Sequence, residues 1–153
     1  MEPHVFPKGL RVNTVEYLKV MSEVVEPWMR QVANGRTYVW QQDGTPAHTA
    51  KKTQEWCKDN LPQFWEKELW SPSSPDCNPL DYFVWSVTER DVNKFSHNTR
   101  ASLIAKIIEV FRLLPRQHVI NACARFRSRI EAVIQAEGGF IRQSLENQLS
   151  FFY

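Results

Sequence analysis

Cysteine and net charge are scarce in this sequence, and internal repeats and long apolar runs are absent. The three cysteines are Cys57, Cys77 and Cys123, and no two of them form a CxxC pair. An odd number of widely spaced cysteines indicates reduced intracellular thiols rather than a disulfide framework. A zinc site built from Cys57, Cys77 and His48 is not expected, because the ligand spacing typical of zinc sites is missing.

No stretch of about 18 apolar residues occurs, and the N-terminus lacks the basic-then-apolar pattern of a signal peptide. We therefore expect a soluble, intracellular protein with no membrane partner. The net charge of +2 does not identify a nucleic-acid partner, since binding depends on where basic residues cluster. By contrast, 42% apolar residues and six tryptophans predict one packed domain with its own core.

Apolar residues at three- and four-residue spacing predict that helices make up most of the chain. The predicted helices cover residues 14–33, capped by Asn13 and with a kink at Pro27 or a restart at Trp28, then 46–60, 79–94, 99–114, capped within residues 97–99, and 115–138. The apolar stripe of the first helix, expected to be core, is Leu18, Met21, Val24, Val25, Trp28 and Val32. Two runs rich in β-branched and aromatic residues, 37–42 and 64–70, predict short strands. These patterns predict an α/β domain over residues 1–141 with a helix-rich C-terminal half, followed by a C-terminal tail over residues 142–153.

Asp43 ends the first predicted strand and is followed by Gly44. Ligand sites in open α/β sheets lie at the carboxyl ends of strands, so this position favours a functional carboxylate. The pair Asp43-Gly44 is also a common turn signal. A functional acid and a simple turn both stay open on these residues alone.

Asp81 occupies the third position of a predicted helix that Asn78 caps and Pro79 begins. Free backbone N–H groups and the helix dipole favour an anion there, and an ionised carboxylate binds hard cations such as Mg²⁺. The same acid could serve only as a capping residue. The pattern therefore predicts either a metal ligand or a helix cap.

Two longer motifs contain these acids. They are Gln41-Gln-Asp-Gly-Thr-Pro-Ala-His48 and Ser74-Pro-Asp-Cys-Asn-Pro-Leu-Asp-Tyr-Phe-Val-Trp85. In this order, with thirty-seven residues between Asp43 and Asp81, they resemble the second and third acid blocks of mariner-type transposases. These enzymes form part of the Tc/mariner superfamily of DDE/D transposases. The resemblance covers about residues 5–141. The last acid, Asp81, is an aspartate, so the motif resembles the mariner branch, which has an aspartate triad, rather than the branch that ends in glutamate.

The resemblance implies a partial RNase H-like fold with a short, incomplete sheet. It also implies metal-dependent DNA strand cleavage and transfer in cut-and-paste transposition, with Asp43 and Asp81 as catalytic residues that hold Mg²⁺ or Mn²⁺. The implied partner is the DNA of transposon ends, with no small-molecule substrate, and a homodimer is a further expectation. The implied location is the nucleus.

The first catalytic aspartate of the family has no counterpart before Asp43. The acids in that stretch are Glu2, Glu16, Glu23 and Glu26, of which the last three fall in a helical pattern and the first is terminal. We therefore expect the chain to be the C-terminal part of a truncated catalytic domain, inactive alone. A sheet without its opening strands exposes an edge, so marginal stability or oligomerisation is also expected.

Several other side chains are candidates for supporting roles. Asn78 is expected beside the acids, and so is His48, for which simple packing at the start of a helix is an equal alternative. Asp76 is expected to anchor the turn rather than bind metal. The candidate DNA-backbone contacts are Lys51, Lys52, Arg125, Arg127 and Arg129. For the arginines, which belong to the densest basic cluster of the chain, a solvated helix face is an equal alternative.

Three interpretations stay open at this point. The chain is a truncated transposase catalytic domain, a non-catalytic DNA-binding or dimerising module derived from a transposase, or an unrelated α-rich structural domain. Convergence of the Asp43 and Asp81 carboxylates on one cation would separate the first two from the third.

Overall fold

A computed structural model describes residues 2–70 and 74–138 of the chain. These residues divide into two compact units. The first is Phe6–Ser74, and the second combines Glu2–Val5 with the described residues from Pro75 onward. Asp43 therefore belongs to the first unit and Asp81 to the second. The predicted tail, residues 142–153, lies outside the described residues.

The first unit is mainly helical. Its elements are α1 (Thr14–Val20), a π-helical turn (Met21–Val25), α2 (Glu26–Ala33), α3 (Pro46–Thr49), α4 (Lys51–Asn60) and a 3-10 turn (Lys67–Leu69). The side chain of Asn13 accepts hydrogen bonds from the N–H groups of Val15 and Glu16, which confirms the predicted cap of α1. The π-helical turn stands directly before α2, which has Pro27 in its first turn, where proline removes a backbone donor.

The prediction of an α/β fold with a partial RNase H-like sheet is wrong for the part of the chain that the structure describes, which is helix-rich and has no strand. The segments 37–42 and 64–70 are joined by one isolated parallel bridge, between Trp40 and Phe64. Trp40 N–H donates to Gln63 O at 2.9 Å, and Trp65 N–H donates to Trp40 O at 2.9 Å. Strand-forming side chains act through pairing with neighbours, and a single bridge does not build a ladder.

The predicted helix over residues 46–60 is interrupted at Ala50, whose backbone is extended (ψ 137°). This break leaves the carbonyl groups at the end of α3 without helical partners. Two side chains of α4 replace those partners: Thr53 donates to Ala47 O at 2.6 Å, and Gln54 donates to His48 O at 2.9 Å. The break is therefore compensated by hydrogen bonds, and it separates the motif around Asp43 from the rest of α4.

The core of the first unit lies between its helices and the extended segments. Met21, Cys57 and Leu61 are buried at its centre. The half-buried aromatic and apolar side chains packed on them are Tyr17, Val25, Trp40, Trp56 and Phe64. Of the stripe predicted on the first helix, Met21 and Val25 belong to this core. The prediction is wrong for Trp28 and Val32, which are exposed.

The second unit is also helical. Its elements are a 3-10 turn (Pro75–Cys77), a π-helical turn (Leu80–Trp85), α5 (Ser86–Val92), α6 (Arg100–Leu113), α7 (Arg116–Ala124) and α8 (Phe126–Gln135). Helix α5 packs against α6, and α8 packs against the turn Pro75–Cys77. Thr99 and Ser102 form a reciprocal capping box at the start of α6, which confirms the predicted cap.

The single helix predicted over residues 115–138 is divided into α7 and α8 at Arg125, whose backbone has φ −78° and ψ −6°. Helix α8 ends in a Schellman motif, which has two hydrogen bonds. Gly138 N–H donates to Val133 O, and Glu137 N–H donates to Ile134 O. The left-handed residue before Gly138 is Glu137 (φ 49°), so the glycine signal correctly marked the end while a glutamate takes the strained position.

Candidate functional site

Asp43 lies in a tight turn immediately before α3. Its Oδ1 atom accepts a hydrogen bond from Thr45 N–H at 3.0 Å, and His48 Nδ1 lies 2.5 Å from the same atom. Both contacts are to Oδ1, and the Thr45 side chain makes a further hydrogen bond to the carboxyl. The side chain of Asp43 is 44% exposed. The turn therefore fixes the carboxylate through Oδ1 and leaves the group partly exposed.

The charge state of Asp43 follows from these contacts. Partial burial raises the pKa of its carboxyl, but the hydrogen bonds from Thr45 and the neighbouring His48 outweigh burial, and the net pKa is lowered. Asp43 is thus ionised at neutral pH. Because an ionised carboxylate only accepts hydrogen bonds, the proton in the short contact is on His48 Nδ1.

A second layer of side chains supports His48. The ring of Tyr17 lies 4.5 Å from the His48 ring, centre to centre, and Gln42 donates to the Tyr17 hydroxyl. Gln42 in turn accepts from the Cys57 thiol at 3.8 Å. Burial raises the pKa of Tyr17, so the phenol stays neutral and keeps its proton. The sequence did not indicate Tyr17 or Gln42 as parts of this site. The position of Tyr17 in a helix and that of Gln42 beside Asp43 are both compatible with simple packing.

Asp81 lies at the start of the π-helical turn in the second unit and is half-buried. The Asn78 side chain accepts from Leu80 N–H at 3.2 Å, and Asn78 O accepts from the N–H groups of Asp81 and Tyr82 at 2.9 and 3.0 Å. The predicted cap at Asn78 is confirmed. These bonds fix the backbone from which the Asp81 carboxylate projects.

Arg129 holds this turn at Asp76, chiefly through the backbone carbonyl of Asp76. Arg129 Nε donates to Asp76 O, and an Arg129 terminal nitrogen lies 3.9 Å from Asp76 Oδ1. The same guanidinium lies over the Tyr82 ring, 4.1 Å from its centre. Arg129 therefore makes its contacts within the protein. It falls on the helical stripe with Phe126 and Val133, a position from which sequence reasoning could have predicted burial.

The other predicted DNA contacts lie on exposed helix positions. Lys51 lies 3.7 Å from Glu55, and Arg127 pairs with Glu131 at 2.8 Å. Lys52 and Arg125 are exposed, and neither has an acidic partner among the described residues. DNA binding by these side chains stays a prediction.

A hard divalent cation fits the donor chemistry of the two acids taken one at a time. Asp43 is ionised and partly exposed, which suits an oxygen ligand for Mg²⁺ or Mn²⁺, and Asp81 carries the same carboxyl chemistry. Residues 2–70 and 74–138 contain no cluster of three or more His, Cys, Asp or Glu side chains arranged to hold a metal. The convergence of Asp43 and Asp81 on one ion stays a prediction.

Among curated proteins, several transposases are similar in sequence to this chain. The transposable element Tcb2 transposase of Caenorhabditis briggsae is 27% identical over 122 residues, which is 80% of this chain and 43% of that protein. The transposable element Tc1 transposase of Caenorhabditis elegans is 24% identical over 127 residues, which is 83% of this chain and 45% of that protein. The chain thus spans less than half the length of the curated relatives it matches. No protein-family model matches it.

These relatives define the class: the chain is transposase-related. More closely, it is a relative of the Tc1/mariner-type transposases, as its two acid motifs indicated. Among the described residues no helix is long and apolar enough to cross a membrane.

Proposed function

We propose that this chain supplies two metal-binding carboxylates, Asp43 and Asp81, to the catalytic domain of a mariner-type DNA transposase. The single observation that carries the proposal is the state of Asp43, whose pKa is lowered and whose side chain is held through Oδ1 while staying 44% exposed. The acid motifs and the transposase relatives support the same assignment. The substrate is DNA at transposon ends, and the site of action is the nucleus.

Each residue has a defined task in this proposal. Asp43 and Asp81 hold Mg²⁺ or Mn²⁺, which when bound activates a water or a 3′-hydroxyl and stabilises the leaving oxygen at a phosphodiester. His48 holds Oδ1 of Asp43 and so orients the carboxylate for the ion. Asn78 fixes the backbone that carries Asp81.

Chain 1–153 by itself is proposed not to cleave DNA. A DDE/D site needs three carboxylates to hold two ions. Of the acids before Asp43, Glu26 pairs with Arg30 at 2.6 Å and Glu2 pairs with Arg112 at 2.5 Å, so neither is an evident third ligand. Two carboxylates bind a cation weakly and do not form the paired-metal clamp.

Titration with paramagnetic Mn²⁺, followed by NMR, tests the shared ion. If one ion binds both acids, the amide signals of Gly44 and Tyr82 broaden over the same range of Mn²⁺ concentration. Asp43→Asn or Asp81→Asn then abolishes both effects together. The matched control is Asp59→Asn, which removes an exposed acid of the first unit and should leave the broadening unchanged.

Two results would contradict the proposal. Broadening of the two signals at unrelated concentrations, each removed only by its own substitution, would mean two separate weak sites. Nicking of transposon-end DNA by the chain with Mg²⁺, lost in Asp43→Ala, would disprove its inactivity.

A non-catalytic DNA-binding module is the second candidate, favoured by the exposed and unpaired positions of Arg125 and Lys52. Each neutralised phosphate contributes salt-dependent affinity. A gel shift should weaken as salt rises and should weaken further in Arg125→Gln. Arg30→Gln is the control, because Arg30 is paired with Glu26. Equal affinity in Arg125→Gln and in the unsubstituted chain would remove this candidate.

A further inference from the structure

Arg129 of α8 contacts both Asp76 and Tyr82 of the second unit. Its side chain is only 14% exposed, whereas that of Arg127 on the same helix is 89% exposed. Arginine is seldom buried unless its charge and donors are satisfied. Here the guanidinium donates to Asp76 O and stacks on the Tyr82 ring, 4.1 Å from its centre.

These two contacts lie on either side of the segment 77–81, which carries Asp81. Asp76 precedes the segment 77–81, and Tyr82 follows it directly. Tyr82 is held a second time, because its hydroxyl donates to Ala122 O of α7 at 2.6 Å. Both ends of the segment are therefore tied to α7 and α8.

The interior of the segment is fixed as well. Cys77 is 4% exposed, and burial raises the pKa of its thiol, which stays neutral and packs as an apolar group. Asn78 accepts hydrogen bonds from the N–H groups of the three residues that follow Pro79, which are Leu80, Asp81 and Tyr82. With its ends and its middle held, the segment offers Asp81 one backbone position relative to α8.

We infer that Arg129 is a positioning residue for Asp81. Its guanidinium holds the Asp76–Tyr82 turn in the arrangement from which the Asp81 carboxylate reaches its cation. The inference rests on the proposed metal role of Asp81. It also reassigns Arg129, which the sequence had placed among the DNA contacts, to an internal role.

The two contacts require arginine rather than a positive charge in general. A planar guanidinium stacks on a ring with its face and donates from its edge at the same time. A lysine ammonium is a point charge on a flexible stem and cannot reproduce both. Arg129→Lys should therefore behave like Arg129→Ala, and this separates geometry from charge.

The test is an Mn²⁺ titration of the full chain, read from the broadening of the Leu80 and Tyr82 amide signals. Loss of an outer contact of a ligand typically weakens metal binding by about 10-fold or more. We expect that loss in Arg129→Ala and Arg129→Lys, and a smaller loss in Tyr82→Phe, which keeps the ring and removes the hydroxyl. Arg127→Ala is the matched control and should stay within about twofold, since its side chain faces solvent.

Hydrogen exchange of the Asp81 and Tyr82 amides is the second measurement and needs no metal. About tenfold faster exchange in Tyr82→Phe or Arg129→Lys than in Arg127→Ala supports the inference, even if Arg129→Ala does not fold. Unchanged exchange and unchanged Mn²⁺ affinity in Arg129→Lys overturn it. Absence of Mn²⁺ broadening at Asp81 in the unsubstituted chain is a different result: it refutes the proposed function, and exchange then decides the positioning role alone.

Discussion

His48 Nδ1 and Asp43 Oδ1 lie 2.5 Å apart, in a turn that Thr45 N–H also closes onto Asp43. The imidazole therefore orients the carboxylate through Oδ1. His48 also packs on Tyr17, so it makes both a polar and a packing contact, while its role in a metal site stays a prediction.

The first prediction concerns this contact. His48→Ala should weaken Mn²⁺ binding at Asp43 about 10-fold, because the carboxylate loses the group that orients it. The measurement is Mn²⁺ broadening of the Gly44 amide signal. His118→Ala removes an exposed histidine of the second unit and serves as control. Equal affinity in both variants would show that His48 only packs.

The second prediction compares the same substitution at a buried and an exposed leucine of the first unit. Leu61 is 8% exposed and belongs to the core with Met21 and Cys57, whereas Leu69 is 68% exposed. Leu61→Ala should lower the free energy of unfolding by about 2–5 kcal/mol, through lost burial and a cavity. Leu69→Ala should change it by less than about 0.5 kcal/mol. Denaturant titration measures both, and similar values would place Leu61 outside the core.

The third prediction concerns thiol reactivity. Cys57 and Cys77 are buried, and Cys123 is exposed. In the folded chain a thiol reagent should therefore modify one cysteine rapidly, and Cys123→Ser should remove that fast phase. All remaining thiols should react after denaturation. A fast phase that survives in Cys123→Ser would show that a buried cysteine is accessible.

The fourth prediction is the pH dependence that follows from Cys57, where burial raises the pKa to about 11 from 9.0. A raised folded-state pKa favours the neutral thiol, so its contribution is complete below about pH 9 and is lost as pH rises through 11. Between these values the free energy of unfolding should fall more steeply for the unsubstituted chain than for Cys57→Ala. Parallel slopes would mean that Cys57 titrates normally.

A fifth prediction follows from the segment around Trp40, which uses its N–H and carbonyl groups on the side of Phe64 and Trp65. Val39, next to it, is 46% exposed, and an exposed apolar side chain on an extended segment favours association with a second copy. Sedimentation should show concentration-dependent association, reduced in Val39→Lys. Val32→Lys, at a 50% exposed helix position, is the control. A strictly monomeric chain would contradict this expectation.

The helices were predictable because their signals are local. Asn13 and Thr99 mark helix starts that the structure confirms. The spacing of apolar residues identified the buried faces only in part, because Met21 is buried but Trp28 and Val32 are exposed. The breaks at Ala50 and Arg125 were not predictable in this way. Neither position carries glycine or proline, and the break at Ala50 is compensated by contacts six residues apart in sequence, from Thr53 and Gln54.

The strands and the outer contacts of the site needed non-local information. Val39 and Trp40 have strand-forming side chains, but a strand exists only where partners pair with it, and the described residues provide one bridge. The contact of Arg129 with Asp76 spans 53 residues, a distance at which no local pattern is informative. What sequence did indicate was the acids, because their motifs resemble a family.

The helical backbone that follows Arg125 fixes the position of the Arg129 side chain relative to the helix break. At the helix break, Arg125 N–H donates to Ala122 O, the same carbonyl that accepts a hydrogen bond from the Tyr82 hydroxyl. Arg129, one helical turn later, lies over the Tyr82 ring. One inserted residue would rotate the guanidinium by about 100° around the helix axis, away from the ring. Residues 125–129 should therefore tolerate many substitutions of exposed side chains, but no insertion or deletion.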